Sequence, residues 1–200
     1  MIINFNSLQK ARNTVVDMLK DREYDMSNHY DTSGNYIPID INSINHEYYK
    51  NNMKIIANHS EKSKIMVLFY VSKIGIDVIK KIVKILDMMC IYHVILVVNY
   101  KVTSFAKREI IKLPSKYQIE IFLQEEVLYN IIKHRIVPKH ILLTKKEAQK
   151  VIECYGNVNC LPRILYTDKI CKYYNGIVGD IFKIYRENSI YYRIVVPSKK

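Results

Sequence analysis

The sequence has little of several residue types and motifs on which enzymes and metalloproteins depend. It contains no tryptophan and only five glycines, none of them in the G-x-x-x-x-G-K pattern that holds nucleotide phosphates. The cysteines form no C-x-x-C pair, and with His140 they are too scattered for a usual zinc motif. We therefore expect no metal, no cofactor, and free thiols that are mostly buried. The four cysteines are Cys90, Cys154, Cys160 and Cys171.

Signals for a membrane or a secretory route are also missing. The longest aliphatic run, residues 94–98, is far shorter than the roughly 18 apolar residues that suggest a membrane span. Residues 1–6 lack the charged region and the cleavage site of a signal peptide. Cysteines without a disulfide pattern are typical of a reducing compartment. We expect a soluble, intracellular protein with no membrane partner.

The chain also lacks a recognisable set of catalytic residues. Nucleases of the restriction-endonuclease type need an [Asp/Glu]-x-Lys pair to hold Mg²⁺ and steady the attacking water. No acidic residue here stands two positions before a lysine, and Glu120 has Phe122 in that place. His93, at the start of an apolar run, is interpreted as a core histidine rather than a base. We expect a chain that is not catalytic by itself and takes no small-molecule substrate.

Acidic residues are scarce relative to basic ones, and the imbalance is uneven. The 31 Lys and Arg against 19 Asp and Glu give a formal net charge of +12. From Lys133 onward there are 14 basic and 5 acidic residues, a net of +9, which leaves +3 for the first 132 residues. An excess of this size favours a polyanion or an acidic protein surface as partner.

Helices alternate with buried strands over the first 132 residues. Residues 65–71 and 93–98 are near-continuous apolar runs, and an amphipathic helix over 76–90 lies between them, which predicts a βαβ unit with parallel strands. Thr103 or Ser104 can cap a helix that runs to about residue 113. Further predictions are an opening helix over 8–24, a strand over 117–122 and a short helix over 125–132, with no chemistry assigned to 25–63. The predicted inward faces are Leu8, Ala11, Val15, Met18 and Leu19 on the opening helix, and Ile79, Ile82, Val83, Ile85, Leu86 and Met89 on the helix over 76–90.

The pattern changes near Lys133. Pro138 keeps the residue before it extended, Thr144 and Glu147 are spaced as a capping box, and Gly156 is placed to end the helix that they start. The apolar stripe of this helix is predicted to be Ala148, Val151, Ile152 and Tyr155. Residues 161–164 restart the chain extended, and strands over 180–185 and 190–196 flank a tight hairpin turn.

Several segments in this order resemble one family. They are I-V-P-K-H at 136–140, T-x-x-E at 144–147, L-P-R-I at 161–164, Asp168, K-Y-Y-N-G at 172–176 and G-D-I-F-K-I at 179–184. Together they resemble the C-terminal domain of the fifth common subunit of eukaryotic RNA polymerases, to which a shorter archaeal polymerase subunit is similar. Residues 8–24, 73–80, 102–107 and 122–128 look like the N-terminal domain of that family, the jaw.

The sequence departs from the family pattern at a few positions. The hairpin loop is shorter, Lys169 replaces a proline, and Lys172 replaces an arginine and cannot present a planar fork. Asn175 stands where the first glycine of the family falls, with Gly176 one place late, and asparagine can adopt the left-handed conformation that such a turn requires.

The resemblance implies two domains and a role. Residues 1–132 would form an α/β jaw, a restriction-endonuclease-like parallel or mixed sheet with helices, and residues 133–200 a small α+β assembly domain. The protein would be a non-catalytic subunit that docks on the largest subunit of a multisubunit DNA-directed RNA polymerase, contacts other polymerase subunits and flanks downstream duplex DNA. The alternative is a free-standing DNA-binding or nuclease-derived module. The assembly residues carried over are Pro138, His140, Leu161, Pro162, Arg163, Asp168, Tyr173, Gly176 and Lys183.

The resemblance also implies a location at the site of transcription. This is the nucleus for a cellular protein, and the host cytoplasm or the virion for a protein of a large DNA virus. The heavy use of Lys, Ile, Asn and Tyr and the short hairpin loop suggest an AT-rich source of that kind.

A basic stretch follows the strand over 93–98. Lys101, Lys107, Arg108, Lys112 and Lys116 stand there against Glu109 alone. Charge alone favours a solvated helix face, whereas the resemblance favours contacts to the phosphates of downstream DNA, because the family's jaw lies beside that duplex. The start of the helix is a ready phosphate site. The residues predicted to face DNA are Lys101, Thr103, Ser104, Lys107 and Arg108.

Overall fold

The computed structural model describes residues 5–37, 54–60 and 63–198, which form two compact units that divide between Tyr129 and Asn130. Both units are mixed α/β, and each has a four-stranded mixed sheet. Much of the stretch to which no chemistry was assigned, residues 38–53 and 61–62, lies outside the described residues. No helix in the described part of the chain combines the length and the apolar character needed to cross a bilayer.

The sheet of the first unit has the order β1-β2-β3-β4. Its strands are β1 (Lys54–Ala57), β2 (Ile65–Tyr70), β3 (His93–Val98) and β4 (Gln118–Leu123). Strands β2, β3 and β4 are parallel, and β1 is antiparallel to β2. All six residues of β3 are buried, as an inner strand covered on both faces requires. The strand–helix–strand prediction is confirmed.

In the described part of the first unit, three α-helices accompany this sheet: α1 (Phe5–Asp21), α2 (Ile76–Met89) and α3 (Ser104–Lys112). The predicted inward face of α1 is confirmed, because all five of its residues are buried. On α2 the prediction was partly wrong, since Ile85 and Met89 are exposed. Ile85 lies about 100° around the helix from buried Leu86. Met89 is the last helical residue, because Cys90 turns left-handed with φ 53°.

The short helix predicted over 125–132 does not form. Two 3₁₀ turns, Gln124–Val127 and Ile131–Lys133, take its place. The Glu126 carboxylate accepts a hydrogen bond from the backbone N–H of Leu123 at 2.9 Å, and the Asn130 side chain accepts one from the N–H of Ile132 at 3.0 Å. Such local bonds between side chain and backbone compete with a continuous helix.

A buried charged network joins the end of α1 to the neighbouring strands β3 and β4. Arg22 donates to both carboxylate oxygens of Glu120, at 2.8 and 2.9 Å, and His93 Nε2 lies 2.6 Å from Glu120 Oε1. The side chains of Arg22, Glu120 and His93 are only 4%, 13% and 8% exposed. Burial alone would raise the pKa of Glu120, but the charge of Arg22 and the hydrogen bonds from His93 and Arg22 outweigh it, so the pKa is lowered.

The second unit is built on a sheet of order β5-β7-β8-β6. Its strands are β5 (Lys139–Leu142), β6 (Arg163–Leu165), β7 (Ile181–Arg186) and β8 (Ser189–Val196), and its helices are α4 (Lys145–Tyr155) and α5 (Lys169–Tyr173). Strands β7 and β8 form the predicted hairpin, in which Arg186 pairs with Ser189. The capping box of Thr144 and Glu147 is confirmed, and Gly156 ends α4 with φ 76°.

Small apolar clusters cover the two faces of this sheet. One is centred on Phe182 and Ile184, and the other packs Ala148, Val151 and Ile152 of α4 against buried strand residues. Tyr155 was predicted on the same stripe but is exposed, with its ring edge-on to Tyr192. The free state of the cysteines is confirmed, but their predicted burial was wrong. Cys171 is buried, whereas Cys90, Cys154 and Cys160 are exposed in turns and on the outer side of α4.

We expect Glu120→Gln to lower the free energy of unfolding at pH 7 by roughly 3 kcal/mol or more, because it leaves the Arg22 charge buried without a partner. The folded-state pKa of Glu120 is lowered, so its contribution is present above its ordinary pKa of 4.5 and is lost as pH falls through the folded value. Urea unfolding of the full chain at pH 7 and at pH 4 measures both effects. The exposed carboxylate of Glu125 provides the matched control Glu125→Gln. Equal stability of the two variants would contradict a stabilising network.

Candidate assembly surface and nucleic-acid interface

The N-terminus of α3 has the predicted cap. Thr103 is the N-cap residue, and its hydroxyl oxygen accepts a hydrogen bond from the N–H of Ala106 at 3.2 Å. Ser104 is the first helical residue and is exposed, as are Lys101, Lys107 and Arg108. The segment follows directly on the carboxyl end of β3. Exposed cations and the N-terminus of a helix therefore lie at the same edge of the sheet. Both attract negative charge, so this edge suits an anion.

The five basic residues of this stretch differ in their surroundings. The Lys112 ammonium lies 3.1 Å from the Glu109 carboxylate. Lys116 lies 3.2 Å from Asp87, so its charge is compensated too. The Arg108 guanidinium lies over the exposed ring of Phe105, 5.2 Å from the centroid. The structure therefore separates Lys101, Lys107 and Arg108 from two lysines that already face carboxylates.

An open cleft of about 470 Å³ lies at the carboxyl ends of β3 and β4. Lys101, which follows β3, and Glu125, in the 3₁₀ turn after β4, both line it, and the Gln124 amide donates to the Ser7 hydroxyl at 3.2 Å. Asn99, Tyr100, Leu123 and Leu128 complete the lining. Sequence reasoning missed this cleft, although ligands of open α/β sheets bind at this edge. Its mixed charge contrasts with the basic start of α3.

Three of the residues carried over as assembly residues are buried within the second unit. His140 packs edge-on against Phe182, and its Nδ1 lies 2.6 Å from the Pro138 carbonyl oxygen. Burial lowers the pKa of His140 and so favours the neutral ring, although the hydrogen bond to Pro138 acts in the opposite direction. Leu161 lies in the apolar core, and buried Tyr173 accepts a hydrogen bond from the Asn130 amide. These side chains stabilise the unit from inside.

Two more of these residues, and the neighbouring Asn175, have local structural roles. Asp168 caps α5 by accepting a hydrogen bond from the N–H of Ile170 at 2.9 Å. A Cβ at Gly176 would lie 2.9 Å from the Cys171 sulfur and 3.2 Å from the Phe182 ring, so a larger residue has no room. Asn175 adopts the left-handed conformation, with φ 53°, as its place in the motif predicted.

The remaining assembly residues reach the surface. Pro162 and Arg163 are exposed, Pro138 is half-buried, and the Lys183 ammonium lies over the Tyr185 ring at 5.0 Å. Two apolar pairs that sequence reasoning missed are exposed near Arg163. They are Leu165 with Tyr166 at the end of β6, and Ile177 with Val178 in the turn before β7.

Backbone hydrogen bonds bring these two pairs to the same end of the sheet. The N–H of Tyr166 donates to the Val196 carbonyl at 2.9 Å, and the N–H of Gly179 donates to the Val195 carbonyl at 3.0 Å. We call Arg163, Leu165, Tyr166, Ile177 and Val178 the β6 surface. The sequence signal for it was an Ile-Val pair set between two glycines, where no core position is expected.

No cluster of three His, Cys, Asp or Glu side chains able to hold a metal ion occurs in the described ranges 5–37, 54–60 and 63–198. The Glu120 carboxylate, the residue closest to a nuclease pattern, is occupied by Arg22 and His93.

The second unit matches a known protein family by itself. Residues 129–195 match the family model described as "RNA polymerase Rpb5, C-terminal domain". The DNA-directed RNA polymerase subunit Rpo5 of Methanothrix thermoacetophila is 46% identical over 69 residues, which make up 32% of this chain and 88% of that subunit.

Longer similarities include the first unit. The subunit rpabc1 of DNA-directed RNA polymerases I, II and III from Dictyostelium discoideum is 31% identical over 210 residues, covering 96% of this chain and 99% of the relative. The corresponding subunit RPABC1 of Caenorhabditis elegans is 32% identical over 150 residues, 71% of each chain. The predicted family is thereby confirmed, and the alternative of a free-standing module is not favoured. This chain belongs to the family of the fifth subunit shared by DNA-directed RNA polymerases, and it is a non-catalytic component of that multisubunit enzyme.

Proposed function

We propose that the second unit attaches this subunit to the largest polymerase subunit and that the first unit, a jaw of restriction-endonuclease-like type, flanks downstream duplex DNA. The observation that supports the attachment is the β6 surface, which combines an exposed arginine on β6 with four exposed apolar side chains at one end of the same sheet. The archaeal relative supports it, because a polymerase subunit can consist almost entirely of the part that matches this unit. The subunit then acts at the site of transcription.

The β6 surface has the composition of a protein contact. Apolar side chains left exposed side by side mark interaction sites more often than scattered ones do. Pro162 fixes the backbone immediately before Arg163, so the guanidinium is held for a bidentate contact with a carboxylate. The net charge of +9 from residue 133 onward favours an acidic partner surface. Arg163 is therefore the residue that we expect to orient the subunit, with Leu165 and Ile177 excluding water.

For DNA, the basic start of α3 supports contacts with phosphates. Ser104 presents a hydroxyl and lies in the first turn, where backbone N–H groups have no helical acceptor. Lys101 precedes the helix, and Lys107 and Arg108 follow within its second turn. Contacts of this kind position a duplex without reading its sequence. The nuclear setting of a cellular protein, or the cytoplasmic setting of a viral one, stays a prediction.

We expect Arg163→Ala to weaken incorporation into polymerase at least about tenfold, because truncating one partner of a buried, hydrogen-bonded charge pair costs about 2–5 kcal/mol. Capture of the two largest polymerase subunits by the tagged chain measures incorporation. The melting temperature of the isolated chain should hardly change, because the side chain is exposed. Exposed Arg135 offers a control of equal charge, Arg135→Ala. A large fall in melting temperature would make Arg163 an internal structural residue instead.

We also expect a fragment of residues 133–200 to fold alone and bind the largest subunit. A second fragment that begins at Asn130 should be more stable by about 1 kcal/mol, because it restores the hydrogen bond to the Tyr173 hydroxyl and the cap of the 3₁₀ turn. Circular dichroism and thermal unfolding compare the two fragments. If neither fragment folds, the second unit is not an independent assembly domain.

Lys101→Ala and Lys107→Ala should each lower the slope of log affinity against log salt for downstream DNA by about 0.9, the value for one lost phosphate contact. Affinity should fall equally for all DNA sequences, and nucleotide addition and subunit assembly should not change. Lys112→Ala and Lys116→Ala are the controls, because both side chains already face carboxylates. Binding is measured with assembled polymerase over a salt series. An unchanged slope in Lys101→Ala and Lys107→Ala would show that the start of α3 is a solvated helix face without DNA contacts.

A further inference from the structure

At the amino ends of β3 and β4, the edge of the sheet opposite to the basic start of α3, a lysine is enclosed by two tyrosines and a carboxylate. The Lys116 ammonium lies 4.8 Å from the centroid of the Tyr92 ring and 4.7 Å from that of Tyr117. It also lies 3.2 Å from Asp87 Oδ1. The four residues come from the last turn of α2 and from the segments that lead into two strands.

The arrangement is more than a surface ion pair. The two rings stand nearly perpendicular, at 73°, with their centroids 5.8 Å apart, so they form two walls around one cation. The Tyr117 hydroxyl donates to Asp87 Oδ1 at 2.6 Å, and this hydrogen bond fixes the carboxylate relative to the Tyr117 ring. Two orthogonal aromatic faces with an acidic group are the elements from which proteins build sites for methylated ammonium ions.

The cation in this cage remains accessible. The side chains of Lys116 and Asp87 are 50% and 46% exposed, so the cage is open on one side. An alkylated ammonium group is bulkier and more weakly hydrated than the ammonium of lysine, and it gains more from aromatic faces when it leaves water. The open side gives added methyl groups room. The hydrogen bonds of Lys116 to Tyr117 and Asp87 raise its pKa, so it occupies the cage as a cation at neutral pH.

We propose that Asp87, Tyr92 and Tyr117 form a binding site for methylated ammonium groups, which Lys116 fills as an internal competitor in the free chain. The ligand is either the methylated side chain of a lysine or a small quaternary ammonium compound. Removal or neutralisation of Lys116 opens the site, and methylation of Lys116 itself strengthens the contact. The site is separate from the proposed DNA contacts, which lie at the carboxyl ends of the same strands.

The first test uses the intact chain. Its lysines are dimethylated reductively with ¹³C-formaldehyde, and the methyl resonance of Lys116 is identified by its absence in Lys116→Arg. Ring currents from Tyr92 and Tyr117 should move this resonance upfield of the other dimethyl-lysines, and Tyr92→Leu and Tyr117→Leu should each reduce the displacement. A Lys116 resonance that falls among those of the other lysines would overturn the proposal.

The second test opens the cage. Tetramethylammonium and a trimethyllysine peptide are titrated by NMR into the full-length wild type, Lys116→Ala and the double variant Lys116→Ala, Tyr92→Ala. Lys116→Ala should bind at least about fivefold more tightly than wild type, and loss of Tyr92 should weaken binding about two- to fivefold, the ratio for one exposed cation–π contact. Lys112→Ala is the control for loss of one positive charge.

The two probes distinguish the source of the ligand. Equal binding of both probes indicates recognition of the ammonium group alone, whereas tighter binding of the peptide indicates a lysine side chain presented by a protein. No gain in Lys116→Ala, or a gain that survives the loss of Tyr92, would overturn the proposal. If Lys116→Ala does not fold, as judged by circular dichroism, the ¹³C measurement on the wild-type chain decides.

Discussion

The Glu120 carboxylate is the constraint on which the first unit depends. A carboxylate, a guanidinium and an imidazole are each costly to bury alone, and they are tolerated inside this unit only because each satisfies the others. The network fixes the end of α1 against the first residue of β3 and the third residue of β4. Both candidate sites of the unit lie on the segments that flank these two strands. The buried network therefore holds the strands that carry the proposed DNA contacts at one end and the lysine cage at the other.

The same carboxylate belongs to the residue that comes closest to a nuclease motif, and the network engages it. Glu120 has both oxygens engaged by Arg22 and one shared with His93, and the position two residues later is buried Phe122 rather than a lysine. The second unit also has residues of two kinds, those that maintain the fold and those that are exposed for contacts. The motif residues His140, Leu161, Tyr173 and Gly176 preserve the fold, whereas the side chains exposed at its β6 surface lie mostly outside the motifs. Apart from Arg163, which lies in the L-P-R-I motif, the residues that we expect to make contacts differ from those that identify the family.

Sequence reasoning succeeded where the determinants are local. Strand β3 was predicted with the bounds that the structure has, because the five consecutive apolar residues that follow His93 need cover on both faces. The Thr144–Glu147 capping box and the left-handed Asn175 follow from short-range geometry. Sequence reasoning failed mainly where the structure depends on residues that are far apart in the sequence. The exposure of Ile85 depends on how α2 packs, and no pattern within residues 101–116 shows that Lys116 faces Asp87 and Tyr92. The 3₁₀ turns are a different case, because the bonds of Glu126 and Asn130 that favour them are local and the sequence prediction overlooked them.

The distribution of charge around β3 and β4 sharpens the electrostatic argument. A count along residues 101–116 suggests a basic stripe of five cations, which would track a duplex over much of a helix length. Two of the five are compensated locally, Lys112 by Glu109 and Lys116 by Asp87, and Lys116 lies at the opposite edge of the sheet. The remaining positive field is concentrated where β3 ends and α3 begins, and it adds to the helix dipole there. Such a field suits one or two phosphates held at a fixed point, as a positioning contact of a polymerase subunit requires, and not a long track along DNA.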